Sequence, residues 1–388
     1  MKILITGTSG LIGYNLAERL LKDGYEVYGT IHKNKKEVDG VKYFYGDLRD
    51  MEFCKEITEG MDIVVNCSAN TSNAVDTVKS PLVHVTPNVI VNTQLIEAAY
   101  FNKVNKYVFI SSSTVYPPSG EDLVDETWNI FEEPYPVYHA VGWMKRYGEV
   151  LCDLYANQLS PNMDCLVIRP GNCYGPHDKW DFDKCHVTPA TIRKVIDRHH
   201  PIQVWGDGED IRDVIYVEDF VDGLITVMEN CKEKHEVVNI GSNTSYSVNE
   251  ILDICMEVDY YDAPVQYISG KPSMIPIRKI SSDKMKQKYG CDCQLTIDLV
   301  SRTQFQRFKC VQHIKFHQSD MGQTINSNRV PKCDKVDPSA STRTASGCTK
   351  LVPFSPHLLS GFIMEFGWKW SASNSSSISF CYSKDVIY

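Results

Sequence analysis

The chain has 388 residues, 43% of them hydrophobic and 23% charged, which leaves room for one large α/β domain and something smaller. A formal net charge of −9 argues against nucleic acid as a partner, and with no run of eighteen apolar residues and no leader pattern at Met1, neither membrane association nor secretion is expected. The default location is the cytoplasm, and the fourteen cysteines, scattered without a C-x-x-C pair, suit a reducing compartment better than a disulfide framework or a metal site.

In chain order the first elements are KILITGT, a strand; LIGYNLAERLLKDG, apolar at helical spacing; and the strands YEVYGT, VKYFYGD and DIVVNCSA. A helix near NVIVNTQLIEAAYF, the strand KYVFISSS, a long helix near 140–158 and the strand DCLVIRP follow. Alternation of this kind predicts a doubly wound parallel sheet with helices on both faces, a Rossmann-type fold, over residues 1–170. From 171 to 308 the elements shorten, with loops such as GPHDKWDFDKCH and WGDGEDIRD, as expected of a substrate-binding lobe that also returns some elements to the first domain. Residues 309–388 turn polar and serine-rich, and only HLLSGFIMEFGWKW looks able to pack, so an atypical, poorly ordered tail is expected there.

The first strand runs straight into Gly7, Gly10 and Gly13. At that spacing one glycine permits the sharp strand-to-helix turn, one lets the main chain approach a pyrophosphate, and one lets the helix sit close to the sheet. The helix N-terminus then offers free N–H groups to phosphate. The second strand ends in Ile31, His32 and Lys33, with no acid for the ribose hydroxyls. Its basic end favours NADP, NAD remaining the alternative, and Asp47 in YGDLRD is placed to accept from the adenine amino group.

GTSGLIG, GDLRD, ISSSTVYP, KRYGE and RPGNCYGPHD together resemble the extended short-chain dehydrogenase/reductases that act on nucleotide sugars, over about residues 1–308. Within that superfamily the stretches NVIVNTQLIEAA, YGPHDKWDFDKCHVTPATIRKV, VWGDGEDIRDVIYVEDF and KPSMIPIRKISSDK are most similar to the GDP-fucose synthase branch, epimerase-reductases of a 4-keto GDP-sugar. The resemblance implies cofactor contacts from Ser9, Leu11, Ile12, Leu48, Ala69, Lys145 and Asn172 in addition to the residues above. It implies a carbonyl-polarising serine, Ser112, and a lysine, Lys145, which lowers a tyrosine's pKa and holds the ribose. Substrate contacts fall on Arg193 or Lys194, Trp205, Arg212 and Lys279, and a homodimer is implied through helices around 90–102 and 140–158, where Trp143, Met144 and Tyr147 add apolar surface.

Two positions depart from the pattern. The family's tyrosine, four residues before the lysine, is Val141 here, and Tyr138, seven residues before Lys145, is the candidate acid, with Gly142 allowing an irregular helix start. The family's cysteine base is Thr114, a hydroxyl too weak for carbon deprotonation, whereas its histidine partner is retained as His186. The leading expectation is an NADP-dependent enzyme reducing a 4-keto nucleotide-sugar, a GDP-sugar by resemblance. The alternatives are a 4-epimerase or dehydratase with retained NAD, and a catalytically silent NADP-binding protein.

Overall fold

The structure, a computed structural model, describes residues 1–71, 80, 82–271, 274–293, 295 and 297. The tail expected at 309–388 lies outside the described residues. In chain order the strands are β1 (Lys2–Thr6), β2 (Glu26–Ile31), β3 (Lys42–Tyr45), β4 (Ile63–Asn66), β5 (Lys106–Ile110), β6 (Leu123–Val124) and β7 (Asp164–Pro170). The second half adds β8 (Asn172–Tyr174), β9 (Ile202–Trp205), β10 (Ile211–Tyr216), β11 (His235–Ile240), β12 (Ser245–Ser247), β13 (Val265–Ile268) and β14 (Ile277–Ile280). The α-helices are α1 (Leu11–Lys22), α2 (Met51–Thr58), α3 (Leu82–Phe101), α4 (His139–Asp153), α5 (Val187–Ile196), α6 (Val217–Asn230), α7 (Val248–Val258) and α8 (Asp283–Tyr289).

Seven strands form one parallel sheet in the order β11-β7-β5-β4-β1-β2-β3. Strand periodicity divides its side chains between two cores. Ile3 and Ile5 face α1, α6 and α8, whereas Leu4 between them faces α2, α3 and the C-terminal part of α4. A parallel sheet covered on both sides explains why its strands read as almost unbroken apolar runs. The chain moves outward from β1 to β3 and then returns beside β1 at β4, so a crevice opens at the carboxyl ends of β1 and β4.

The elements after β7 do not stay in one place. β11, α6 and α8 complete the large sheet and its cover, while β12, β10, β14 and β6 form a second sheet, with β8 paired to β10. α5 and α7 pack with β9 and β10 around Tyr174, Ile192, Val214 and Ile251 as a third core. Buried polar side chains join the sheets. Arg169 on β7 is bidentate to Glu149 on α4 (3.0 and 2.6 Å) and donates to the Tyr116 hydroxyl, which donates in turn to Asn239 on β11 (2.7 Å). Asn239 Nδ2 donates to the carbonyls of Val124 and Ser281 (3.3 and 3.0 Å), tying the network to β6 and to the segment after β14.

Candidate active site

At the end of β1, Gly7 adopts φ +70°, and a Cβ there would stand 3.0 Å from the Cys67 carbonyl oxygen and Ser68 Cα. A Cβ on Gly13 would lie 2.5 Å from the Gly7 oxygen, so only glycine lets α1 come this close to the turn. Gly10 caps α1 without a side chain and no acid occupies the first turn, which leaves the N–H groups that begin at Leu11 and Ile12 open to an anion. Gly7 N–H donates to the Thr30 hydroxyl (3.1 Å) and the Thr8 hydroxyl to the Thr30 carbonyl (3.0 Å), pinning the turn to β2. This cradle fits a dinucleotide pyrophosphate, held by residues 7–13. His32 and Lys33 are exposed at the end of β2, and His32 Nε2 lies 3.6 Å from Asp47 Oδ2. Asp47 also accepts from Arg49 (2.5–3.0 Å), whose guanidinium holds its carboxyl down to about 2. Arg49, unremarked in the sequence reading, thus adds a third basic group beside His32 and Lys33. Leu48 is buried behind them, and Ala69 is exposed on the segment after β4.

β5 delivers Ser111 and Ser112 to the crevice. The Ser111 hydroxyl donates to Glu149 (2.5 Å), whereas Ser112 Oγ accepts from both Thr114 N–H (3.1 Å) and Thr114 Oγ1 (3.0 Å). With two donors already on its oxygen, Ser112 has its own proton left to give to a carbonyl. Thr114 is thereby engaged in orienting Ser112. Lys145 Nζ donates to the Ile110 carbonyl (2.8 Å) and stands 4.9 Å from the Phe109 ring centroid. Burial pushes its pKa down to about 8, against the opposing effects of Glu149 and Cys67. Gly148 allows α4 to lie on Phe109, since a Cβ there would be 2.5 Å from Phe109 Cζ.

Tyr138 caps α4 at the end of a 3-10 turn, Pro136–Tyr138, and the helix is regular through Gly142. Gly142 is therefore not the irregular start that its sequence position suggested. A Cβ there would lie 2.7 Å from the Thr114 carbonyl oxygen and from Pro134, so the glycine lets α4 press against the Ser112–Val115 turn. Val141 is half-buried one turn before Lys145. The Tyr138 phenol is raised by burial, and the charges that oppose this are Arg212 and Arg278. The helix expected over 140–158 ends at Asp153 and widens into a π turn, Leu154–Gln158. Trp143 and Tyr147 are exposed on it, but Met144 is buried against Asn92 of α3.

Arg212 on β10 is buried, paired with Asp210 (3.1 Å) and bonded to the carbonyls of Ile211 and Pro276. On β14 the alternation separates two basic neighbours. Arg278 is buried and donates to the carbonyls of Tyr116 and Pro117 (3.1 Å each), beside Tyr138, whereas Lys279 pairs with Glu121 at 2.5 Å. Arg278, which sequence reasoning passed over, is thus the side chain brought to the site, and Lys279 is not. Arg193 bonds Asp197 (3.0 Å) and the Trp180 carbonyl and lies over Phe182, and Lys194 donates to the Gln203 carbonyl (2.6 Å), so both hold their own lobe together. Trp205 is exposed with Lys271 5.3 Å from its ring centroid, a second residue the sequence reading missed. Asn172 donates to the Asp213 carbonyl (3.1 Å). His186 caps α5 and is exposed, and desolvation by the surrounding atoms together with the charges of Lys179 and His84 keeps its imidazole below its ordinary pKa.

Residues 3–241 match the model of the NAD dependent epimerase/dehydratase family. The chain belongs to this family. Among curated relatives it is 28% identical over 299 residues to GDP-mannose 3,5-epimerase of Arabidopsis thaliana, a match covering 75% of this chain and 77% of that protein. It is 26% identical over 292 residues to GDP-L-fucose synthase of Sinorhizobium fredii, covering 73% of this chain and 88% of that protein. UDP-glucose 4-epimerase of Thermotoga maritima superposes with a TM-score of 0.72 at 23% identity, covering 80% of this chain and all of that one, which shows a common fold. Among the described residues, no helix is long and apolar enough to cross a membrane, and every cysteine is a free thiol.

Proposed function

We propose that this family member is an NADP-dependent enzyme that reduces a 4-keto nucleotide-sugar, with a GDP-sugar as substrate. The observation that carries the reading is that Ser112, Lys145 and the glycine cradle meet the carboxyl ends of neighbouring strands, while Tyr138, with Arg212 and Arg278 as its cationic neighbours, caps the helix that carries Lys145. The cofactor would be held by residues 7–13 and by Lys145, with its 2′-phosphate toward His32, Lys33 and Arg49, and supplies a hydride when bound. Ser112 polarises the substrate carbonyl through its free proton, and Tyr138 supplies the proton to the resulting oxygen. Arg212 and Trp205 suit a diphosphate and a base or sugar face. Likeness to GDP-sugar enzymes from two different lineages supports the nucleotide. The exposed Trp143 and Tyr147 of α4 support a homodimer, which sedimentation velocity tests. The function itself is tested by following loss of NADPH absorbance with GDP-4-keto-6-deoxymannose. No turnover with this or any other 4-keto nucleotide-sugar would sink the reading.

The likeness to GDP-mannose 3,5-epimerases favours a second reading, in which a retained NAD cycles without net oxidation. Tightly bound NAD released from denatured, freshly purified protein is the outcome that would select it.

A further inference from the structure

Two segments far apart in the chain meet on one aromatic ring of α1. The ring belongs to Tyr14, whose N–H donates to the Gly10 carbonyl (3.0 Å), so it stands one helical turn from the glycine cradle. Lys36, in the loop between β2 and β3, places Nζ 3.7 Å from the ring centroid. His177, in the segment after β8, stacks on the same ring with centroids 3.9 Å apart and planes inclined by 26°. Two groups so close to one centroid cannot share a face, so the phenol ring is sandwiched between the lysine and the imidazole.

Each outer layer is fastened to its own part of the fold. Glu37 accepts from the Tyr45 hydroxyl (2.8 Å), and buried Val38 donates its N–H to the Tyr43 hydroxyl (2.7 Å), so β3 holds the loop that carries Lys36. Asn15 Nδ2 donates to the carbonyls of Leu11 (2.8 Å) and Pro176 (3.0 Å), which ties the segment after β8 to the first turn of α1. His177 has φ +74°, in the left-handed region that favours glycine, a conformation that another residue keeps where its surroundings fix it.

Helical side chains lean toward the N-terminus, so the Tyr14 ring lies toward the turn that presents the N–H groups of Leu11 and Ile12. The loop after β2 flanks the adenosine half of a dinucleotide, whereas the segment after β8 arrives from beyond β7, on the other side of β1 in the sheet. From this placement we infer that Lys36, Tyr14 and His177 form a clasp beside the cofactor's diphosphate that has to part before the dinucleotide leaves. The inference rests on the dinucleotide-binding reading of the glycine cradle. Lys36 is a positioning residue: it acts by holding its loop on Tyr14, and what the clasp encloses is the diphosphate common to NADPH and NADH, apart from the 2′-phosphate that distinguishes them. Lys36 Nζ is shielded from solvent, and a desolvated cation on an aromatic face slows opening by about 3–30-fold.

The test is the rate of cofactor release, read by stopped-flow fluorescence after protein loaded with NADPH or with NADH is mixed with excess non-fluorescent NADP+ or NAD+. Lys36→Met and Tyr14→Leu are each expected to speed the release of both cofactors by about 3–30-fold, and His177→Ala to speed it in the same sense. Tyr14→Phe keeps the ring and should stay within about twofold of wild type. Because the lysine acts through the ring, the double variant Lys36→Met with Tyr14→Leu should release no faster than about twofold beyond the faster single variant. Lys36→Met alone, on a surface loop, decides the matter even if a substitution at Tyr14 prevents folding: release of both cofactors within twofold of wild type would overturn the clasp while leaving cofactor binding intact. Acceleration of NADPH release alone would overturn it too, since Lys36 would then be reading the 2′-phosphate, as would a Lys36→Met effect that persists in full when Tyr14 is already leucine. If the wild type binds neither NADPH nor NADH, the cofactor reading and the clasp fall together.

Discussion

Tyr138→Phe removes one oxygen from a half-buried ring whose hydroxyl makes no hydrogen bond to a described residue, so it creates no buried polar orphan. Its effect on stability should stay within about 0.5 kcal/mol. If the phenol is the proton donor, NADPH-dependent reduction should slow by ~10²–10⁴, which corresponds to about 3–5 kcal/mol of transition-state stabilisation. The geometry supplies a paired control in Val141→Tyr. At about 1.5 Å rise per residue, a phenol at 141 would start about 6 Å along the helix from Lys145, whereas Tyr138 starts about 10 Å away and has Arg212 and Arg278 as its cationic neighbours. With Tyr138 in charge, Val141→Tyr adds bulk to a half-buried position without adding function, and rates should stay level or fall. Single-turnover reduction at saturating cofactor isolates the chemical step. An unchanged rate in Tyr138→Phe together with a faster Val141→Tyr would refute the reasoning, because it would mean that the site lacks an acid which a phenol beside Lys145 restores.

Lys145, held at about 8, loses its charge as pH rises through that value, so kcat/KM should fall on the alkaline side with an apparent pKa near 8, as a pH–rate profile of the wild type will show. Alanine at His32 and Lys33 together should weaken NADPH by about 1–3 kcal/mol and leave NADH unchanged in a titration of each cofactor; equal losses would exclude recognition of the 2′-phosphate there. Glu149→Ala leaves the Arg169 guanidinium buried without its carboxylate and should destabilise the fold by about 3–5 kcal/mol in urea unfolding, far more than substitution of an exposed pair such as Lys55–Glu52.

The dinucleotide cradle was legible in the sequence because its determinants are local. Gly7, Gly10 and Gly13 lie within two turns of one another, and the apolar strand before them and the helical spacing after them need no knowledge of the rest of the chain. Ser112 and Lys145 were likewise readable, since each sits at a fixed offset from the end of a strand or the start of a helix. What only the tertiary structure decided depends on contacts between distant segments and on strand parity. Arg278 and Lys279 are adjacent and both basic, yet a single step along β14 buries one beside Tyr138 and sends the other to Glu121. Gly142 looked like a helix irregularity until its contact with the Thr114 carbonyl gave the glycine a packing reason. Lys179 lies in the loop GPHDKWDFDKCH, and its meeting with Thr71, 108 residues away, joins the segments that follow β8 and β4, which only the fold brings together. Local spacing determines which residues can form a turn or a helix face, whereas the order of strands determines which loops meet over the crevice.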